Sequence, residues 1–170
     1  MTEAEKTSVL FVCLGNICRS PTAHGVFEAL LQQRGLSNNV IVDSCGTGDW
    51  HVGSAPDRRA TAEAGERGYD LSHLRARQVQ AADFGRFDYI LAMDRANLAA
   101  LQAMCPVGYT GHLGLFLPFA AEAITQEVPD PYYGAADGFA HVLDLVEAAS
   151  KGLLLDICEK REVGRANPAR

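Results

Sequence analysis

Apolar positions along the chain come as short continuous runs alternating with longer helical stripes. Ser-Val-Leu-Phe-Val-Cys at 8–13 is an apolar run short enough for a strand covered on both faces, as in a parallel sheet. A turn follows at Leu14-Gly15-Asn16. Ser20 and Pro21 suit a helix cap and first helical position, and Ala23, Phe27, Leu30 and Leu31 recur at helical spacing until Gly35. Val40-Ile41-Val42 predicts a second strand, and Gly46 to Gly53 is glycine-rich enough to be a surface loop, carrying the single Trp. Ala60 to Arg67 predicts a helix and Phe87 to Met93 a third strand, after which Asp94 caps a helix with Leu98, Leu101 and Met104 on one face. His112 to Leu117 is a fourth strand. Pro129-Asp130-Pro131-Tyr132-Tyr133-Gly134 is a loop, because two prolines stand within three residues. Phe139, Val142, Leu143, Val146, Ala149, Leu153, Leu154 and Ile157 then trace one stripe of a last helix.

This alternation predicts a single α/β domain: an open, mostly parallel four-stranded sheet flanked by helices on both faces, with the ligand site beyond the carboxyl ends of the strands. The first such end is Cys13. The expected boundaries are a flexible N-terminus at 1–7, the domain over 8–163 and a flexible tail over 164–170. A length of 170 residues with 48% hydrophobic and 21% charged content fits one domain rather than two. Fifteen basic against twenty-one acidic residues leave a formal charge of -6, so bulk charge gives no grip on nucleic acid and an anion needs a local site. No apolar run approaches the roughly twenty residues of a membrane helix. The start of the chain lacks a secretory pattern, which makes the cytoplasm the expected location, with export independent of a signal peptide left open. Five cysteines, at 13, 18, 45, 105 and 158, are odd in number and too sparse for a disulfide framework. Reduced thiols are expected, and their reactivity is the question to ask of each.

Cys13 and Arg19 form a C-x5-R pair that wraps Gly15 and Asn16 and closes on Ser20-Pro21 at a helix start. Such a loop cradles an anion. Gly15 can adopt positive φ, letting backbone N–H groups point inward, and the helix adds unpaired donors and its dipole. Arg19 offers a fork to two phosphate oxygens. The same field favours a Cys13 thiolate, and a thiolate facing a phosphate is a nucleophile. The bland alternative has Cys13 ending a buried strand, Arg19 solvated and Asp130 an ordinary turn residue.

Val-Cys-Leu-Gly-Asn-Ile-Cys-Arg-Ser-Pro at 12–21 resembles the signature of the low-molecular-weight protein tyrosine phosphatases. Val42-Asp43-Ser44, the Trp50 loop, Leu71-Ser72-His73, the stretch from Phe87 to Asp94 and Asp130-Pro131-Tyr132-Tyr133 extend that resemblance over the domain. It implies a phosphate monoester hydrolase. In that reading Cys13 attacks phosphorus, Arg19 holds the equatorial oxygens, Asp130 protonates the leaving phenolate, and Leu14, Gly15, Asn16, Ile17, Cys18, Arg19 and Ser20 bind the phosphate. Asn16 and Ser20 resemble loop-ordering, thiolate-stabilising positions, while Ser44 and His73 resemble positions behind the loop. The resemblance also implies a reversible disulfide between Cys13 and Cys18, although Cys18 alone reads as well as a small apolar filler. Trp50, Tyr132 and Tyr133 form an aromatic rim able to sandwich a phenyl ring, with burial of one tyrosine left open.

The implied partners are phosphotyrosine-containing proteins, with inorganic phosphate or vanadate as inhibitors. No cofactor, metal, nucleic acid or membrane is implied, and a monomer is expected; His24, His51, His112 and His141 lack metal-site spacing. Three alternatives stand beside this reading. Arsenate reductases share the fold but pass a disulfide along two further cysteines, whereas 74–93 holds none and Cys105 is solitary. Phosphoarginine phosphatases look alike except for Thr where Ile17 stands. A non-catalytic phosphotyrosine-binding module is expected to lose the nucleophile or the acid, and both Cys13 and Asp130 are present.

Overall fold

A computed structural model describes residues 6–135 and 137–166, with side chains through 161. Strands β1 (Thr7–Cys13), β2 (Val40–Gly46), β3 (Tyr89–Ala92) and β4 (His112–Leu115) form one sheet in the order β2-β1-β3-β4. Every neighbouring pair is parallel. The helices are α1 (Arg19–Gln33), α2 (Arg58–Glu66), α3 (Arg95–Met104) and α4 (Gly138–Ala166), with short 3-10 turns at Ala81–Gly85 and Leu117–Phe119.

The continuous apolar run of β1 is explained by its place in the sheet. Val9, Leu10, Phe11 and Val12 are all fully buried because they alternate between two cores. Val9 and Phe11 join the core built with α1 and α4, where Phe11 meets Phe27 and Phe116 edge-on. Leu10 and Val12 join the opposite core, which holds Leu101 of α3 with Phe84 and Phe87. Helices therefore cover both faces, and the eight-residue stripe of the last helix is buried throughout.

Element ends differ from the sequence expectation for identifiable reasons. Strand β2 runs four residues past Val42, since β1 offers a ladder to Asp43 and Ser44 that hydrophobicity alone does not reveal. Helix α1 starts at Arg19, two residues before Pro21, with Cys18 as a cap that makes no side-chain hydrogen bond. Ser20 is no cap, because its hydroxyl is turned toward Cys13. Strand β1 takes in Thr7, and α4 continues to Ala166, beyond the expected boundary at 163; the rest of the expected termini, 1–5 and 167–170, lies outside the described residues.

From β1 the chain steps to one side for β2 and to the other for β3. Crevices at the carboxyl ends beside such a reversal of strand order are where open α/β sheets bind ligands. Cys13 ends β1 there, and Asp94 lies just past the end of β3. Among the described residues no helix is long and apolar enough to cross a membrane.

Candidate active site

Cys13 is almost fully buried, and the segment after it folds back over its sulfur. The Asn16 N–H donates to Sγ at 3.3 Å, and the Ser20 Oγ lies 3.0 Å from Sγ. Asn16 sets the polarity of this contact. Its Oδ1 accepts the Arg77 N–H at 3.0 Å, which fixes its amide so that Nδ2 donates to Ser20 Oγ at 2.7 Å. The hydroxyl thus has an acceptor role filled and one proton to give, either to Cys13 or to the Cys45 carbonyl at 3.2 Å. Of the two, Sγ is the nearer.

Gly15 does not take up the left-handed conformation open to it; Asn16 does, at φ 56°. Asn tolerates that region because its short amide bonds locally, and here both ends of the amide are used. Gly15 instead leaves room for His51, whose Cδ2 would stand 3.0 Å from a Cβ at this position. Gly46 is tighter still, since a Cβ there would come within 2.7 Å of the Leu14 carbonyl oxygen and 3.1 Å of the Asn16 nitrogen. The loop is fastened from outside by Thr47 N–H to Cys13 O, Gly48 N–H to Leu14 O and Asp57 N–H to Ile17 O.

Arg19 is buried, with Nη1 donating to Asp94 Oδ2 at 2.7 Å and to the Val128 carbonyl at 3.0 Å. Asp94 also caps α3 through the Asn97 N–H. The Nη2 edge of Arg19 stands 3.7 Å from Asp130 Oδ2. Asp130 itself is half-exposed, and the Tyr132 N–H donates to its Oδ1 at 3.1 Å. Cys13, Leu14, Gly15, Ile17, Cys18, Arg19, Trp50, His51, Asp130, Tyr132 and Tyr133 line one cavity of about 340 Å³. The nucleophile, arginine, acid and rim expected from sequence thus meet at a single opening. Tyr132 is half-buried against Cys18, Ala60 and Phe139, while Tyr133 is almost fully exposed. Burial, reinforced by the Asp57 carboxylate, pushes the Cys18 thiol up to about 12. Among the described residues no three His, Cys, Asp or Glu side chains converge to hold a metal ion.

Residues 8–164 match the family model described as low molecular weight phosphotyrosine protein phosphatase. The chain belongs to this phosphatase family. A low molecular weight protein-tyrosine-phosphatase of Streptomyces coelicolor is 45% identical over 161 residues, covering 93% of this chain and 97% of its own. The crystal structure of a protein tyrosine phosphatase from Entamoeba histolytica superposes with a TM-score of 0.88 at 40% identity, over 92% of this chain and 99% of its own. That of a Drosophila arginine phosphatase gives 0.82 at 31% identity, over 88% and 96%.

One site expectation for this phosphatase fails. His73 is exposed and not behind the loop, because the turn around it buries Leu71 and Leu74 and so turns Ser72 and His73 outward. The imidazole that reaches Ser44 belongs to His24, whose Nδ1 lies 2.9 Å from Ser44 Oγ and whose Nε2 lies 2.7 Å from Glu28 Oε1. The hydrogen bond from His24 holds the Glu28 carboxyl below its ordinary range. Other residues of the site escaped sequence reasoning. Asp94 was legible only as a helix cap; His51 had the signal of standing beside Trp50 in a glycine-rich loop; Gly46 had none beyond ending a strand paired with Cys13.

Proposed function

We propose that this phosphatase hydrolyses phosphotyrosine monoesters of proteins through a phosphocysteine intermediate. The observation that carries the reading is Cys13 Sγ, held between the Asn16 N–H and the Ser20 hydroxyl at the base of the cavity where Arg19 and Asp130 meet. Arg19 clamps two phosphate oxygens while loop N–H groups take the others. The Cys13 thiolate attacks phosphorus, the bond to the tyrosyl oxygen breaks, and Asp130 gives that oxygen its proton. Water then attacks the phosphocysteine, the P–S bond breaks, the Asp130 carboxylate takes the proton from water, and Cys13 returns as thiolate. Leu14, Gly15, Asn16, Ile17, Cys18 and Ser20 complete the phosphate cradle, and Trp50 with Tyr132 and Tyr133 holds the aryl ring. Inorganic phosphate and vanadate occupy the same cradle as inhibitors. Cys18 acts as a redox partner of Cys13.

Mixing the protein with an aryl phosphate should release a burst of phenol equal to the enzyme and leave a phosphate on Cys13, seen by mass spectrometry after acid quench. Cys13→Ser should abolish turnover yet still bind vanadate. Undiminished hydrolysis by that variant rejects the mechanism. The likeness to an arginine phosphatase makes phosphoarginine the second reading. Ile17 on the cavity wall offers an apolar contact suited to an aryl ring. Comparing kcat/KM on phosphotyrosine and phosphoarginine peptides decides between them.

A further inference from the structure

Beyond Asp130 the segment is joined to the site by a side chain. Among the described residues, the backbone hydrogen bonds donated by Tyr132 and Gly134 close on the segment itself, at Asp130 Oδ1 and the Pro131 carbonyl. Upstream, Val128 is held by its N–H on the Met93 carbonyl and by Arg19 on its own carbonyl; past Asp130 the segment meets the rest of the site through the ring of Tyr132, packed on a small core of Cys18, Ala60 and Phe139 that is separate from the two main ones. Arg59 lies over that ring, its Cζ 5.3 Å from the Tyr132 centroid and 4.7 Å from that of Phe139.

Arg59 is itself held in place. Its Nε and Nη2 donate to the two oxygens of Asp57 at 3.2 and 2.9 Å, a fork that fixes the guanidinium plane. Asp57 caps α2 with the same carboxylate and donates its own N–H to the Ile17 carbonyl of the loop. One chain of contacts therefore runs from the loop through Asp57, Arg59 and the Tyr132 ring to the Tyr132 N–H on Asp130.

We propose that Arg59 is a positioning residue for Asp130: by holding the Tyr132 ring it holds the backbone N–H that orients the acid over the leaving oxygen. The inference rests on the assignment of Asp130 as proton donor. Arg59 is absent from the cavity wall, so its effect passes through Tyr132.

The test uses Arg59→Met, which fills space but offers neither cation nor fork, with Arg59→Lys and Asp57→Asn as milder variants should the first fold poorly. Each is compared with Asp130→Asn, and with both changes together, by kcat/KM on phenyl phosphate and p-nitrophenyl phosphate. A positioned general acid contributes about 10²- to 10⁴-fold, so misplacing it without removing it should cost Arg59→Met about tenfold on phenyl phosphate. The nitrophenyl ester, which hardly needs the proton, should lose less than about threefold. In the Asp130→Asn background the added loss should fall below about twofold, because the two residues act as one unit. An equal loss on both esters, or a loss that multiplies fully onto Asp130→Asn, overturns the proposal. If Asp130→Asn itself slows both esters equally, the assignment of the acid falls, and the role of Arg59 with it.

Discussion

Gly46→Ala is a sharp test of how tightly the loop is built. The added Cβ would stand 2.7 Å from the Leu14 oxygen, 0.7 Å short of the 3.4 Å where ordinary contact begins. Neither neighbour can retreat freely. The Leu14 oxygen accepts the Gly48 N–H at 2.9 Å, and the Asn16 nitrogen, 3.1 Å from the new carbon, is the donor to Cys13. Overpacking of this kind costs about 1–3 kcal/mol, which in a domain of this size lowers Tm by roughly 2–12 °C. Relief requires the loop to shift by tenths of an ångström at the nucleophile, and since misplacement by about 1 Å costs about 10²-fold, kcat/KM should fall by about ten- to a hundredfold. Gly65→Ala is the control: it lies exposed within α2 at ordinary φ, with nothing within 4 Å of the added carbon. That change should leave the rate alone and raise stability by about 0.5–1 kcal/mol. Thermal unfolding and steady-state kinetics on the two variants suffice. Wild-type rate and Tm for Gly46→Ala would refute the picture of a loop locked by its neighbours.

Arg19→Lys should lose at least about a hundredfold in kcat/KM, measured with an aryl phosphate, because a point charge cannot serve Asp94, the Val128 carbonyl and two phosphate oxygens together. Peroxide should convert Cys13 to a sulfenic acid, whose sulfur the Cys18 thiolate attacks, expelling hydroxide and forming a disulfide that dithiothreitol reduces. With the Cys18 thiol pushed up to about 12, few thiolates exist at neutral pH, so capture should quicken about tenfold per unit from pH 7 to 9. Activity recovered equally by wild type and Cys18→Ser after peroxide and dithiothreitol argues against it. Glu28 is held below its ordinary range, so the unfolded chain binds the proton first and the contribution of its contact with His24 is present above about pH 4.3 and lost below it. The Tm gap between wild type and Glu28→Gln should therefore narrow as pH falls below that value toward the lower range of the folded protein, and a gap that widens as pH falls contradicts it.

Most of the architecture was legible because each element obeys one period. Burial on both faces makes β1 a continuous apolar run, and burial on one face makes the last helix a stripe. What stayed hidden was decided by tertiary partners. The left-handed residue of the loop is Asn16 and not Gly15, because an amide with partners on both ends outweighs the greater freedom of glycine. His24 and not His73 meets Ser44, since Leu71 and Leu74 claim the buried side of their turn. Nothing in the order of residues announces that Arg59 on α2 covers the ring of Tyr132.

Asp94 raises the question of what Arg19 is for. A guanidinium 2.7 Å from the Asp94 carboxylate is no net positive centre, so attraction by charge does not explain how an anion is held. Orientation does. Nη1 spends its hydrogens on Asp94 and the Val128 carbonyl, and this leaves the Nη2 edge directed at the cavity. The two readings give opposite signs. If Asp94 acted through its field, removing a negative charge beside the site should tighten phosphate binding. If it acts by aiming the fork, Asp94→Ala frees the guanidinium, and losing one charge-assisted bond of about 1.5–3 kcal/mol should raise the phosphate inhibition constant by about ten- to a hundredfold. Asp94→Asn should fare little better, because Arg19 and the Asn97 N–H meet different oxygens of the carboxylate and an amide offers an acceptor on one side only. Phosphate inhibition of both variants, checked for folding by circular dichroism, separates the readings: weaker binding supports orientation, and tighter binding refutes it.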